Sequence, residues 1–288
     1  MNTKKHAVKS SLAKRSFQRF LENKVASIGA VILFLIIFVC ICVPLITSKD
    51  PNFIDVANTR KPFSSENWLG TDLLGRDIFA RLLYGGRMSI MIGVGSAVGA
   101  TLLGTALGCI AGYYGKKVDK VLVYVCELFM CFPQYLLILL CVGLLGQSTG
   151  NLLIIFIGTG WAGIMRIVRG RIQSLKEEPF VESCRANGIR STSIMFHHLL
   201  PNTRGPVIVN MTLQVSGYIL AEAGLSFLGM GVPSTVVTWG NIINAAKRLD
   251  LIQNTPALWL APGIAICLLI LSINFFGDGL RDALDHST

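Results

Sequence analysis

Six long apolar runs alternate with polar segments along the chain, at 25–46, 88–114, 121–145, 152–168, 206–228 and 257–276. As a helix rising about 1.5 Å per residue, the first run reaches roughly 33 Å, enough to cross the hydrocarbon core of a bilayer. The pattern predicts an all-α integral membrane protein with six transmembrane helices. The 88–114 run is rich in glycine: Gly95 and Gly99 are four apart, as are Gly104, Gly108 and Gly112. Four-residue spacing brings such positions to one helix face, where two backbones can approach closely. Other runs carry polar groups. Glu127, Pro133 and Gln134 lie within 121–145, and Asn210, Gln214 and Glu222 lie within 206–228. Polar side chains inside a membrane are costly and often functional. Glu127, Gln134, Gln214 and Glu222 are therefore candidate pathway or inter-subunit groups.

The polar segments divide the chain into a tail (1–24), the first transmembrane helix (25–46), an outer loop (47–87), a core of five further helices (88–280) and a short tail (281–288). Basic residues before the first run could form the n-region of a signal peptide. The run is too long for that, and no small-x-small cleavage site ends it, so it is read as a retained anchor. Six crossings place both termini on one side. Eighteen of the 26 Lys and Arg residues fall in the two tails, the 115–120 turn and the 166–204 segment, and eight fall on the opposite side. Cytoplasmic segments accumulate Lys and Arg, so both termini are expected in the cytoplasm. The outer loop carries an aromatic cluster of Phe53, Phe63, Trp68, Phe79 and Tyr84. Trp68, Trp239 and Trp259, near the ends of runs, are expected to anchor at the interface.

Composition sharpens this picture. Of 288 residues, 52% are hydrophobic and only 15% charged; mean hydropathy is +0.59. Soluble domains carry about 25% charged residues, so a cytosolic enzyme and a disordered chain are both excluded. The net charge of +10 is explained by membrane topology, with no nucleic-acid partner required. Seven of the eight cysteines lie in apolar runs and Cys184 lies in a polar loop, with no CxxC pair. Neither a disulfide framework nor a metal site is indicated.

Several motifs are decoys. Gly158, Gly160 and Gly163 fit the dinucleotide fingerprint, but no βαβ alternation surrounds them, and small residues for helix packing explain them better. The stretch around Gly112, Gly115 and Lys116 lacks the full phosphate-loop pattern, so the chain shows no means of binding ATP. His197 and His198 are adjacent and would point about 100° apart on a helix, unlike a metal-ligand pair. No nucleophile–base or paired-carboxylate arrangement points to catalysis.

The loop at 169–202 is more informative. Glu182 is followed by Ser183, Cys184 and Ala186, then Gly188, and after nine residues by His198, Leu199, Leu200 and Pro201. This order describes a short helix, a tight turn and a second short helix. Gly188 can supply the positive φ that ends the first helix, and Pro201 fits a break before the fifth run.

The loop resembles the EAA motif of binding-protein-dependent ABC importer permeases, E-A-A-x3-G-x9-I-x-L-P. Glu182, Gly188, Leu200 and Pro201 are in register. Ser183 and Cys184 replace the two alanines, and His198 stands at the isoleucine position. The stretches Gly70 to Asp77, Glu222 to Gly229 and Gly277 to Asp285 are similar to the dipeptide/oligopeptide/nickel subfamily, and within it to the second permease of the pair. The resemblance runs from about residue 15 to 285 and implies a type I importer permease fold with a cytoplasmic coupling helix. It implies a heterodimer with a homologous permease, two cytoplasmic ATPase subunits that use ATP and Mg, and an extracellular or periplasmic substrate-binding protein. The chain itself would bind no cofactor and catalyse no reaction. Glu182, Ser183, Cys184, Ala186, Gly188, Leu200 and Pro201 would couple it to the ATPases. Di- or oligopeptides are the default substrate, with nickel or a metal chelate as the alternative. A self-sufficient secondary transporter is the rival class, with Glu127 and Glu222 as its proton-coupling groups. The two sit at different depths, which speaks against one relay.

Overall fold

A computed structural model describes residues 18–284; the outermost parts of the two expected tails lie outside them. Among the described residues there are helices and turns but no named strand. Helix α1 spans Lys24–Ile41 and begins at Asn23, whose side chain accepts from the Ala26 amide at 3.1 Å. Helix α2 spans Ile78–Tyr114 and is 37 residues long. It starts well before the expected position 88 because Asp77 caps it, accepting from the Ala80 amide at 2.8 Å. Arg81 and Arg87, whose charges suggested loop, lie within its first turns. At about 1.5 Å per residue it exceeds a ~30 Å hydrocarbon core, so one end projects beyond it.

The 121–145 run is not one helix. Helix α3, Lys116–Cys131, and helix α4, Gln134–Leu145, meet at an 89° bend. Pro133 has no amide to continue the helix, and it pushes Phe132 to extended backbone, φ −89° and ψ 139°. Helix α5 is Thr149–Leu175 and the short helix α6 is Pro179–Ala186. A π-turn over Ile194–Leu199 and a 3-10 turn over Leu200–Thr203 lead into α7, Arg204–Phe227. Helices α8, Trp239–Ala245, and α9, Leu249–Asn254, precede α10, Ala257–Leu284.

Four helices, α1, α2, α5 and α10, are long and apolar enough to cross a membrane, and the bent α3–α4 pair would make a fifth. Helix α7 has 24 residues, but Asn210, Gln214 and Glu222 dilute its apolarity and it falls outside that set. The expected six crossings are thus not reached on length and apolarity alone.

Contacts fix the relative directions of the helices. Gly95 of α2 lies against Leu153 of α5, Gly99 against Ile157, Gly104 against Trp161, Gly108 against Met165 and Gly112 against Arg169. Numbers rise together, so α2 and α5 run parallel. Helix α7 runs antiparallel to α2, with Ser89 beside Glu222 and Gly93 beside Ile219. Helix α10 is antiparallel to α7, through Ser216 with Asn274 and Gly205 with Leu284. It is also antiparallel to α1, through Gly29 with Phe275 and Asn23 with Asp282. The start of α1, the ends of α2, α5 and α10, and the start of α7 therefore share one end of the bundle. Because α2 and α5 are parallel, the α3–α4 segment between them must travel back along the bundle.

At the opposite end, residues 47–77 form a cap. Asp72 accepts from the amides of Leu74 and Arg76 and pairs with the Arg76 guanidinium at 2.7 Å. Gly70 and Gly75 take φ of +76° and +73° in tight turns, where a Cβ on Gly70 would lie 2.5 Å from the Lys61 carbonyl oxygen. Asn52 donates to the Thr235 carbonyl at 3.2 Å and Arg60 pairs with Asp250 at 3.1 Å, joining the cap to the 229–256 segment.

Candidate functional site

Three features carry the sequence-predicted residues: the α6 loop, a buried carboxylate, and a cavity at the α3–α4 bend.

Helix α6 starts at Pro179, whose missing amide costs nothing in a first turn, and Glu182 lies in that turn, where a carboxylate complements the helix dipole. Its end is closed twice. The Gly188 amide donates to Arg185 at 2.9 Å and the Ile189 amide to Cys184 at 3.1 Å, the pairing that ends a helix on a left-handed residue. Gly188 has φ +71°, and a Cβ there would meet nothing within 4 Å. Conformation alone, not crowding, therefore favours glycine at this position.

The loop is fastened by a few apolar side chains. Val181, Ile194, Met195 and Leu199 are buried against Ile172, Val168 and Cys109 of α5 and α2. Cys184 and Ile189 pack beside them, and Arg185 lies 5.6 Å above the Tyr113 ring. Glu182, Ser183, Ala186 and Gly188 are exposed; Leu200 and Pro201 are half-buried. Pinning Val181 inward turns Pro179, Ser183 and Ala186 outward as a plateau of small residues, flanked by Phe180 on one side and Glu182 on the other. The expected second short helix is the π-turn and 3-10 turn, which run into α7 without a gap. The loop sits at the end of the bundle that holds Arg169. That guanidinium grips Asp119 of α3 through two hydrogen bonds, the longer at 2.7 Å.

Glu222 is fully buried. Its carboxylate accepts from Ser89 of α2 at 3.1 Å and from Ser226 of α7 at 2.8 Å. Ser89 in turn accepts from the Trp239 amide at 3.2 Å, so one carboxylate holds α2, α7 and the start of α8 together. Trp239, expected at the interface, is instead buried here and donates its indole N–H to the Leu82 carbonyl at 2.8 Å. Glu127 is exposed on α3 and is not among the residues that form this knot.

Gln134 and Gln214 do come together. A cavity of about 620 Å³ lies between the α3–α4 bend, α5 and α7. Its walls include Phe129, Phe132, Gln134, Thr159, Gln214 and Tyr218. Gln214 donates to the Gly160 carbonyl at 3.2 Å, and its own carbonyl oxygen has no partner among the described residues. The Tyr218 hydroxyl donates to the Phe156 carbonyl at 3.2 Å, and the two rings stack at 5.0 Å. Gly163 and Gly217 also line the space, and a Cβ on either would meet nothing within 4 Å. The Gly158–Gly163 decoy thus lies within α5. Sequence reasoning did not find Thr159, Gly163, Gly217 or Tyr218 as a group. The signal available was Pro133 beside Gln134 inside an apolar run.

Comparison with known proteins adds a further finding. Residues 104–288 match the family of binding-protein-dependent transport system inner membrane components, and residues 11–62 match the N-terminal transmembrane domain of oligopeptide transport permease C. The chain is 39% identical to the dipeptide transport system permease protein DppC of Alkalihalophilus pseudofirmus, over 94% of this chain and 89% of that protein. It is 37% identical to the oligopeptide transport system permease protein OppC of Bacillus subtilis, over 96% and 90%. It is 34% identical to the glutathione transport system permease protein GsiD of Pectobacterium atrosepticum, over 93% and 89%.

Proposed function

The chain belongs to the family of binding-protein-dependent transport system inner membrane components, and from that premise we propose that it is the permease subunit of an ATP-driven importer of di- or oligopeptides. The peptide substrate rests on the dipeptide and oligopeptide permeases among its relatives. The chain crosses the membrane six times, with α7 and the bent α3–α4 pair completing the count. The parallel pairing of α2 with α5 is the observation that carries this topology, since it requires a return crossing between them. The end holding the α6 loop is cytoplasmic, a reading supported by the eighteen-to-eight split of Lys and Arg.

In this reading the 47–77 cap faces the substrate-binding protein, and a homologous permease completes the pathway. Two cytoplasmic ATPases, which use ATP and Mg, engage the outward plateau of α6. The plateau is fastened to α5 and α2 through Val181 and its neighbours. A push on α6 therefore reaches the parallel helices as a rigid movement. Glu182 favours the start of α6, and Gly188 sets its end.

The test uses the whole complex, isolated with its partner permease and ATPases. With Gly188→Val the complex should assemble in normal yield, because a Cβ there would meet nothing within 4 Å in this chain. The β-branched residue at φ +71° is strained and shifts the plateau. Stimulation of ATP hydrolysis by loaded binding protein should fall at least tenfold. Full stimulation would overturn the coupling role. Orientation is tested separately in intact cells. A cysteine at Ser64 should react with a membrane-impermeant maleimide and one at Ser191 should not; the reverse would refute it.

A further inference from the structure

The cavity at the α3–α4 bend has a chemistry that narrows what can pass through it. Its lining has no carboxylate, no ammonium or guanidinium, no imidazole and no thiol. Its polar groups are the side-chain amides of Gln134 and Gln214, the Thr159 hydroxyl and the phenols of Tyr135 and Tyr218. The rest is apolar or aromatic, with Phe129, Phe132 and Ile138 among the walls. Such a mixture, mostly apolar with a few converging polar groups, is what small-molecule sites are built from, and 620 Å³ is within their usual range.

Two observations show that the space is kept open rather than left over. The bend at Pro133 swings α4 away from the line of α3 by 89°. Gly163 and Gly217 line the space from α5 and α7, and a Cβ on either would meet nothing within 4 Å. The cavity lies near the middle of both helices, so it sits at mid-depth in the membrane in the topology proposed above.

We propose that this cavity is a transit site that holds a translocating peptide by its backbone, with Gln134 and Gln214 pairing with peptide N–H and C=O groups. An amide side chain offers both a donor and an acceptor, which is the complement of a peptide unit whatever its side chain. Gln214 uses one of its two N–H groups on the Gly160 carbonyl, and its oxygen is buried without a partner among the described residues, so it is the acceptor left to pair. A neutral lining neither attracts nor repels Lys, Arg, Asp or Glu side chains, so the site admits peptides of differing charge. The same lining supplies no hard anionic ligands for a bare divalent cation. This inference rests on the importer reading, and it assigns to this subunit a recognition of the peptide unit itself.

The test compares the wild-type, Gln214→Leu and Gly217→Leu importers, each reconstituted in vesicles with partner permease, ATPases and binding protein. The readout is peptide transported per ATP hydrolysed, for three tripeptides: trialanine, and trialanine with Lys or Glu at its centre. Both variants should lower that ratio at least fivefold, and Gln214→Leu should do so equally, within about twofold, for all three peptides. An unchanged ratio would overturn the transit site. A loss confined to one of the peptides would overturn backbone recognition. Failure of Gly217→Leu to assemble with the partner permease would also overturn it, because the space would then belong to the partner's helices. Wild-type vesicles that move none of the three peptides would sink the peptide reading itself, and this inference with it.

Discussion

On one side of α5, glycines of α2 bring two backbones together. A Cβ placed on Gly104 would lie 2.5 Å from the Trp161 carbonyl oxygen, and one on Gly108 would lie 2.6 Å from that of Met165. On the other side of α5, a Cβ on Gly163 would meet nothing within 4 Å, and neither would one on Gly217 across the cavity. Position 163 is two residues past Trp161, about 200° around the helix, so these are opposite faces of one element. Glycine closes a distance on the first face and leaves a space on the second. The seam is intolerant because the obstructing atoms are backbone, which no rotamer change can move aside. The cavity face is tolerant of a methyl group because nothing is there to obstruct. A glycine pattern read without its neighbours cannot distinguish the two uses.

Substitutions at the two faces would break or sharpen this contrast. Gly108→Leu should have the largest effect. Its side chain would force α2 and α5 apart, and overpacking typically costs about 1–3 kcal/mol or more. The expected result is loss of folded protein from the membrane fraction, or a melting temperature far below wild type in detergent. Retention of the wild-type melting temperature would show that the seam yields easily, and the contrast would collapse. Gly163→Ala should have the smallest effect, with stability within about 0.5 kcal/mol of wild type in the same melting assay, as for sites that disturb no packing. A large destabilisation there would mean that the cavity face is a closed interface after all.

The seam was legible in the sequence because it depends on local spacing. Residues four apart share a helix face whatever the helix packs against, so Gly104, Gly108 and Gly112 could be grouped before any partner was known. The α6 loop was legible for a similar reason: Glu182 lies in the first turn of one short helix and Gly188 just past its end. The bend at Pro133 was hidden, because the residues on both sides are apolar and read as one crossing. Hydropathy records burial in lipid and is blind to direction. The early start of α2 was hidden by Arg81 and Arg87, whose charges resemble a loop. Arg81 is in fact buried and donates to the Pro51 carbonyl at 3.0 Å. The cavity was the least legible feature, since it joins residues from four helices and only their folded arrangement brings Gln134 to Gln214.

The parallel order of α2 and α5 also constrains how the protein is made. A helix hairpin can close as soon as its second strand emerges, but the partner of Gly108 is Met165, and the whole α3–α4 segment is synthesised in between. At about 5–20 residues per second the nascent α2 waits on the order of several seconds with its glycine face uncovered. During that interval the face is open to lipid and to any other passing helix. Fidelity at this seam is therefore set partly by the pace of translation, and a pause in the codons between 115 and 148 would lengthen the period in which α2 can pair wrongly.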